Sequence, residues 1–445
     1  MSLPLPPGQA GLPFLGETLS FFRDSKFAQR RHERYGPIFR TSLLGQPTLF
    51  VRGVEANRFI LTHENDRFQV SWPPSTSALL GSLSLALQGG GIHQQRRKLL
   101  AQAFLPRALS GYIPTMEAIT KSYLQRWTEQ KEFTWHPELR QYTFDIAAKL
   151  LVGLDQGSQS KLGHYFEDWA KGLFSIPLPL PWTVFGRAKR SRRLLLAEIE
   201  RLIRQRQQQP IIHKNEDALS LLIQAEDENG DRLSIEELKD QILLLLFAGH
   251  ETLASAVTAF CLLMAQHPEV MTKVRAEQQQ FAIDQPLTLD ALKQMTYLEQ
   301  VIREVLRLVP PAGGGFRKVL ETCELGGYQI PKGWRIIYHI GSTHQDSSLY
   351  THPDRFDPDR FSPAALQQQS IDQQKYGYVP FGGGIRECLG KEFARLEIKI
   401  FAAYLARYAF WELLPDQNLD FLTVPTPAPR DGLKVRFKQQ MPVSR

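Results

Sequence analysis

The segment from Ser234 to about Gln266 constrains this chain more than any other. Ser234 and Glu237 stand three apart, as a capping box does at a helix start. Pro268 marks the far end. About 30 residues in one helix span about 45 Å. The middle, Ile242-Leu243-Leu244-Leu245-Leu246-Phe247-Ala248, is apolar on every side. Such a helix belongs in a protein interior, with other elements packed around it. The composition can supply that packing, since 42% of the residues are hydrophobic and 22% charged. No unbroken apolar run reaches the roughly 20 residues of a membrane span.

The rest of the chain reads as mainly α with small β-sheets. Residues 1–16 are rich in Pro and Gly and predict an extended surface path. Ser20 to Tyr35 predicts a helix, and 38–44 with 48–52 a hairpin turning near Gly45-Gln46. Residues 72–91 read as a long apolar loop leading into a basic helix start, His93 to Leu100. Residues 113–172 read as helical throughout. Prolines keep 174–185 non-helical, and a basic helix with an apolar stripe follows from Arg187 to Gln209. That loop and helix suit either a core-facing surface helix or contact with a membrane surface or apolar substrate. A polar connector covers 205–217. Leu298 to Leu308 predicts a helix, 316–319, 328–330 and 334–340 predict strands, and 342–380 is mostly irregular. A last helix runs to about Tyr408, with short strands near 409–414 and 433–437.

Two local patterns carry chemistry. Gly249-His250-Glu251-Thr252 interrupts the apolar middle of the long helix. Gly costs about 1 kcal/mol against Ala there, and a buried Glu needs a partner. Thr252 can donate to a carbonyl one turn back. The pattern suits a packing kink whose Glu meets a distant base, or an acid and an alcohol facing a cavity as a proton relay. The second pattern is Phe381-Gly382-Gly383-Gly384-Ile385-Arg386-Glu387-Cys388-Leu389-Gly390. Its glycines permit a close backbone approach. A cysteine at a helix N-terminus has its thiolate favoured by the helix dipole. That suits an axial bond to haem iron, although a small buried cysteine at a loop–helix junction fits as well. No Gly-Lys-Ser/Thr closes a phosphate loop. Glu304 and Arg307, three apart, can pair on one helix face.

Net charge is +7 and the pI is about 9.2, which favours acidic partners or anionic surfaces. No nucleic-acid-binding signature accompanies that charge. The three cysteines, Cys261, Cys323 and Cys388, are too few and too scattered for a disulfide framework or zinc cluster. The first residues lack the basic and apolar regions of a signal peptide. These features predict a soluble, cytoplasmic protein without a transmembrane anchor, with room for peripheral membrane contact.

Taken together, the motifs resemble those of the cytochrome P-450 haem-thiolate monooxygenases, over essentially the whole chain. Phe381-x-x-Gly384-x-Arg386-x-Cys388-x-Gly390 resembles the family's haem-binding signature, and Ala248 to Thr252 its oxygen-activation segment. Glu304-x-x-Arg307 resembles its Glu-x-x-Arg helix, with Arg360 as third member. The resemblance implies one domain over residues 1–445. Its long central helix lies over a buried haem b, its small β-rich lobe comes mainly from the N-terminal and 316–340 segments, and the rest forms a large α-rich lobe. It implies Cys388 as the iron's thiolate ligand, Thr252 and Glu251 as proton deliverers in oxygen activation, and Glu304, Arg307 and Arg360 as a structural triad. Arg97, Arg317 and Arg386 fall at propionate-partner positions, with His93 where many relatives carry Trp. Phe381, Gly382 and Gly390 complete the cofactor contacts.

The stretches from Pro6 to Glu17, Gly313 to Arg317 and Gly384 to Ala394 are similar to the retinoic-acid hydroxylase branch, in its soluble cyanobacterial type. That implies hydroxylation of retinoic acid or a related retinoid, with dioxygen and a separate ferredoxin-type electron donor, by a monomer. Trp72, Phe174, Trp182, Phe185, Ala248, Gly249, Gly314, Phe316 and Val424 would line the apolar pocket. The basic residues Arg96, Lys98, Lys391 and Arg395 would form the donor's docking face. Two other readings stand beside this one: a peroxide-using enzyme or isomerase acting on a fatty acid or terpene, and a non-enzymatic carrier of apolar ligands.

Overall fold

The segment Ile235–Gln266 is one helix of 32 residues, opened by the capping box. The Ser234 hydroxyl accepts from the Glu237 N–H, and the Glu237 carboxylate accepts from the Ser234 N–H at 2.9 Å. By length and composition this helix is apolar enough to cross a membrane. However, 72% of its apolar window is buried in the protein, as befits an interior helix. The structure, a computed structural model, describes residues 3–208, 217–282, 285–422 and 426–440. They fall into two compact units.

The α-rich unit takes in the described parts of 73–302, 389–420 and 428–445. Helix Trp135–Val152 packs along the central helix, and the C-terminal helix Lys391–Tyr408 packs on Pro106–Gln130. The basic helix Val184–Gln208 buries Phe185, Ala188, Leu195, Ile199 and Ile203, a stripe that repeats at three, four and seven residues. A small antiparallel sheet orders Glu132–Thr134, Lys434–Gln439 and Ala409–Leu413.

The β-rich unit takes in described residues within 1–72, 303–388 and 421–427. It therefore extends well beyond the N-terminal and 316–340 segments. Its five-stranded sheet runs in the order Ile38–Leu43, Gln46–Val51, Arg335–His339, Gly314–Val319, Phe68–Val70. The first pair is a hairpin turning at Leu44 and Gly45, both at positive φ, as a tight two-residue turn requires. The second pair is parallel and joins distant parts of the chain. Phe39 and Phe50 stack at 5.1 Å under the sheet.

Several expectations need correction. Ser20 to Tyr35 is two helices, Thr18–Arg23 and Phe27–Tyr35. Between them the Asp24 carboxylate accepts from the Lys26 N–H, a local bond that competes with helix. Residues 113–172 are interrupted by strand Glu132–Thr134 and by the stretch after Gly153, a left-handed C-cap. The loop at 72–91 contains helix Pro74–Leu80, which starts with proline in its first turn. Pro268 likewise opens a further helix, Pro268–Gln278. Helices Val54–Thr62 and Leu289–Gln294 are additional. Part of the expected connector at 205–217 lies outside the described residues.

Candidate active site

In the β-rich unit, residues 379–388 form a closed loop. The Cys388 N–H donates to the Phe381 carbonyl at 2.9 Å, Gly382 to Val379 at 3.0 Å, and Glu387 to Gly384 at 3.1 Å. This turning path presents Cys388 as an exposed thiol, so the small buried cysteine considered from sequence is not realised. The glycines serve the unit's own packing. Gly382 and Gly384 have φ of +69° and +65°. A Cβ on Gly384 would lie 2.3 Å from the Leu61 carbonyl oxygen. Gly383 faces the Leu61 side chain and Gly382 the Tyr338 hydroxyl.

The same unit brings two expected basic residues onto one acid that the sequence reading missed. Glu64, 3% exposed, accepts from Arg317 Nε, and at 2.7 Å from Arg386 Nε. Their sequence separations of 253 and 322 hide this convergence from local patterning. The Glu304 group also assembles. Arg307 Nε and Nη2 donate to Glu304 at 2.7 and 2.8 Å, and Arg360 Nε donates to it at 3.3 Å. Arg307 also donates to the carbonyls of His344, Pro353 and Arg355, so its five N–H bonds all have acceptors. Trp72 and Phe316 meet with ring centroids 5.8 Å apart. Gly314 and Gly315 are required by their sheet neighbour, since a Cβ on either would strike Tyr338. Only Gly313 of that trio borders open space.

In the α-rich unit, the central helix has one face that its neighbours do not cover. Ala248 is exposed, and Leu244 and Thr252, one turn either side, are half-buried. The Thr252 hydroxyl donates to the Ala248 carbonyl at 2.6 Å, as expected. A Cβ on Gly249 would meet nothing within 4 Å. Glu251 departs from the expectation that acid and alcohol face one cavity. It is 1% exposed and bound by Arg140, with Nη1–Oε2 at 2.7 Å and Nη2–Oε1 at 2.8 Å. One residue along a helix turns the side chain by about 100°, and a buried carboxylate goes where its counter-charge is. Arg140 also holds Glu167 at 2.9 Å. His250, fully buried beside this group, has its Nδ1 2.9 Å from the Thr143 hydroxyl. Burial pushes its pKa well below the usual value, so it stays neutral.

Other expected residues divide. His93 is buried and Arg97 half-buried, four apart on helix Gly90–Ala101 and so on one face. Phe174 packs against the core, and Phe185 lies inside it. Trp182 is 72% exposed. Val424 lies outside the described residues. The expected docking face is internally compensated: Arg96 pairs with Glu237 at 2.6 Å, Lys98 with Glu228 at 2.7 Å, and Arg395 with Glu299 and Glu392.

Among the described residues no three His, Cys, Asp or Glu side chains gather as a metal cage. The lone exposed thiol of Cys388 is the donor suited to iron already held by a macrocycle. Gly390, two residues on, and Gly249 both face space that a Cβ would enter without contact. The exposed Cys388 thiol on its fixed loop fits a thiolate-bound group.

Comparison with known proteins agrees. A family model described as cytochrome P-450 matches residues 6–427. The chain is 51% identical over 440 residues to cytochrome P-450 120 of Synechocystis sp., across 99% of this chain and 98% of the relative. It is 38% identical over 449 residues to cytochrome P-450 26A1 of Xenopus laevis, across 98% of this chain and 90% of the relative. The solved structure of retinoic-acid-bound cyanobacterial CYP120A1 matches with a TM-score of 0.94 and 50% identity, over 99% of this chain and 100% of that one. A chain with this fold, exposed thiol and uncovered helix face, matched across nearly its full length, belongs to the cytochrome P-450 family of haem-thiolate monooxygenases, which act on apolar substrates with electrons from redox partners.

Proposed function

We propose that this enzyme hydroxylates retinoic acid or a closely related retinoid. The observation that carries the reading is the 50% identity, over nearly the whole chain, to a structure that holds retinoic acid. Residues 1–445 act as one catalytic domain. When bound, thiolate-ligated haem b supplies dioxygen activation, by which one oxygen atom enters a substrate C–H bond and the other leaves as water.

The chain's own residues prepare that chemistry. Cys388 provides the thiolate, and its loop bond to Phe381 fixes the position of its backbone. Arg317 and Arg386 are preset by Glu64 and would hold a propionate of the haem when it is bound; Arg97 and His93 would each serve as propionate partners too. Thr252 holds a proton at its hydroxyl. That proton points to the Ala248 carbonyl, so it becomes available only when the hydroxyl rotates. Glu251 acts through its Arg140 pair, exchanging protons with the Thr252 side only when that pair opens. Glu304, Arg307 and Arg360 hold the Cys388-bearing unit in shape. Phe316 and Trp72, whose rings meet, take the apolar part of the substrate; Ala248 and Gly249 are substrate-facing positions of the central helix. A ferredoxin-type protein delivers the electrons, and the enzyme works as a cytoplasmic, soluble monomer.

The test is spectroscopic and chemical. The reduced, carbon-monoxide-bound protein should show the red-shifted Soret band of thiolate ligation, and Cys388→Ser should lose it. All-trans retinoic acid should shift the haem spin state at micromolar concentration and be converted to a hydroxylated product with dioxygen and a ferredoxin system. Spin-state shifts by fatty acids or terpenes but not retinoids would refute the substrate class. Full turnover with peroxide, but none with dioxygen and the ferredoxin system, would refute the proposed electron path.

A further inference from the structure

A surface cavity of about 400 Å³ opens where helices Pro74–Leu80, Val184–Gln208 and Ile235–Gln266 of the α-rich unit converge. Small-molecule sites occupy roughly 300–1,000 Å³. On the central helix the cavity reaches Lys239. Thr252 lies 13 residues further on (252 − 239), about 20 Å along the axis. The chemistry assigned to Thr252 and Cys388 leaves this cavity unused.

Its cations divide into two sets. Arg192 and Lys239 are held by the protein itself. Arg192 Nε donates to the Leu79 carbonyl at 2.9 Å, and the guanidinium pairs with Asp240. That ties the C-terminal end of helix Pro74–Leu80 to the basic helix. Lys239 is 7% exposed and gives two of its three N–H bonds to Glu200 and Glu236, at 2.9 and 2.6 Å. Lys189 and Arg193 form the other set. Both are exposed, and among the described residues neither has a carboxylate within salt-bridge distance. They stand four apart on one helix face, where like charges repel. An uncompensated pair at a cavity mouth, with a buried ammonium that keeps a spare N–H, is a receiver for an anion.

The rest of the lining selects the kind of anion. Ala78, Leu196 and Ala197 supply an apolar wall that a bare inorganic ion would leave unused. Glu200 also lines the cavity, and its carboxylate repels an ion of high negative charge. We propose that this cavity is a peripheral binding site for an apolar monocarboxylic acid. Its carboxylate lies between Lys189 and Arg193, and its hydrocarbon body lies along Ala78, Leu196 and Ala197. The acid of the proposed reaction has this chemistry, so in naming retinoate as the occupant the inference rests on that reading.

The experiment is equilibrium dialysis of the full-length holoenzyme after an azole that ligates the iron has filled the haem pocket. All-trans retinoate should still bind, at about one equivalent and more weakly as salt rises. Retinol, the same body without the charge, should bind at least roughly tenfold more weakly than retinoate. Lys189→Gln with Arg193→Gln should weaken retinoate binding roughly tenfold, at about threefold per cation. Ala197→Glu puts a second carboxylate in the wall and should weaken it by a similar factor. Arg201→Gln removes an exposed cation of the same helix outside the lining and should leave binding within about twofold. All four positions are exposed, so urea unfolding midpoints should stay at the parent value. Absence of retinoate binding to the azole-filled enzyme would overturn the proposal. So would equal binding of retinol, displacement of retinoate by inorganic phosphate at micromolar concentration, or binding that either the Lys189→Gln/Arg193→Gln pair or Ala197→Glu leaves unchanged. The substrate assignment fails separately, on the spin-state shift of the azole-free enzyme.

Discussion

Arg307 offers the sharpest test of how this fold is held. Arg307 and Glu304 are both fully buried, and all five guanidinium N–H bonds are used: two on Glu304 and three on carbonyls of residues 344, 353 and 355. Arg307→Met keeps most of the volume but removes every donor. Breaking a buried pair from one side costs about 3–5 kcal/mol, and each stranded carbonyl adds about 1 kcal/mol. Glu304 keeps the Asp357 N–H at 2.9 Å and Arg360 at 3.3 Å, which limits the charge penalty. The total should be about 5 kcal/mol, against a global stability of about 5–15 kcal/mol. Arg307→Lys retains the charge with three donors in place of five, and should cost about half as much. Urea unfolding followed by fluorescence provides the assay. At roughly 3 kcal/mol per molar or more for a chain this long, the midpoint should fall by about 1–2 M in Arg307→Met and about half that in Arg307→Lys. Indistinguishable midpoints for Met and Lys, or a fall in Arg307→Met below about 0.3 M, would refute the reasoning.

Three further outcomes are expected. Arg140→Leu strands the buried Glu251 carboxylate and should destabilise by about 3 kcal/mol; adding Glu251→Gln should recover most of it, and a double variant as unstable as the single would contradict the pairing. His32 and His344 are buried with pKa values lowered to about 3 by desolvation, and His344 Nε2 must stay unprotonated to accept the Val379 N–H at 3.0 Å. Unfolded histidine binds a proton near pH 6.5 and the folded form does not. Stability is therefore complete above that value and falls as pH drops toward about 3, by about 1.4 kcal/mol per pH unit for each group; urea midpoints equal at pH 7.5 and pH 5 would count against this. Gly249→Ala should stabilise the central helix by up to about 1 kcal/mol, since its Cβ meets nothing, yet alter the retinoid-induced spin-state shift; an unchanged shift would remove Gly249 from the substrate face.

What the sequence revealed followed the range of its signals. The capping box, the apolar central helix and the Gly45 turn depend on neighbours a few residues away, and each stands where local chemistry puts it. The Cys388 loop and the Glu304–Arg307 pair were legible for the same reason. Strand Glu132–Thr134 was not, because its partner begins at Lys434 and no local propensity announces that pairing. Glu64 and Arg140 went unnoticed because they matter only through side chains far along the chain. Glu251 was legible as a functional candidate, but its direction was not. The side it faces depends on where Arg140 lies, which helix periodicity alone cannot supply.

The parallel pairing of Gln46–Val51 with Arg335–His339 also has a consequence for how the protein is made. Thr48 meets Arg335, a separation of 335 − 48 = 287 residues. The Cys388-bearing unit therefore has high contact order, and its sheet cannot close until nearly the whole chain has left the ribosome, some 20–70 seconds after initiation at about 5–20 residues per second. One core cluster of the α-rich unit draws its buried residues from 79–246 alone and can gather earlier. Nascent chains arrested after residue 302 should thus show protease-resistant helical cores but leave residues 38–51 cleavable, and protection of 38–51 at that length would disprove this order. During synthesis, the thiol loop is among the last parts to gain its framework, and cofactor capture becomes a late event in the life of each new chain.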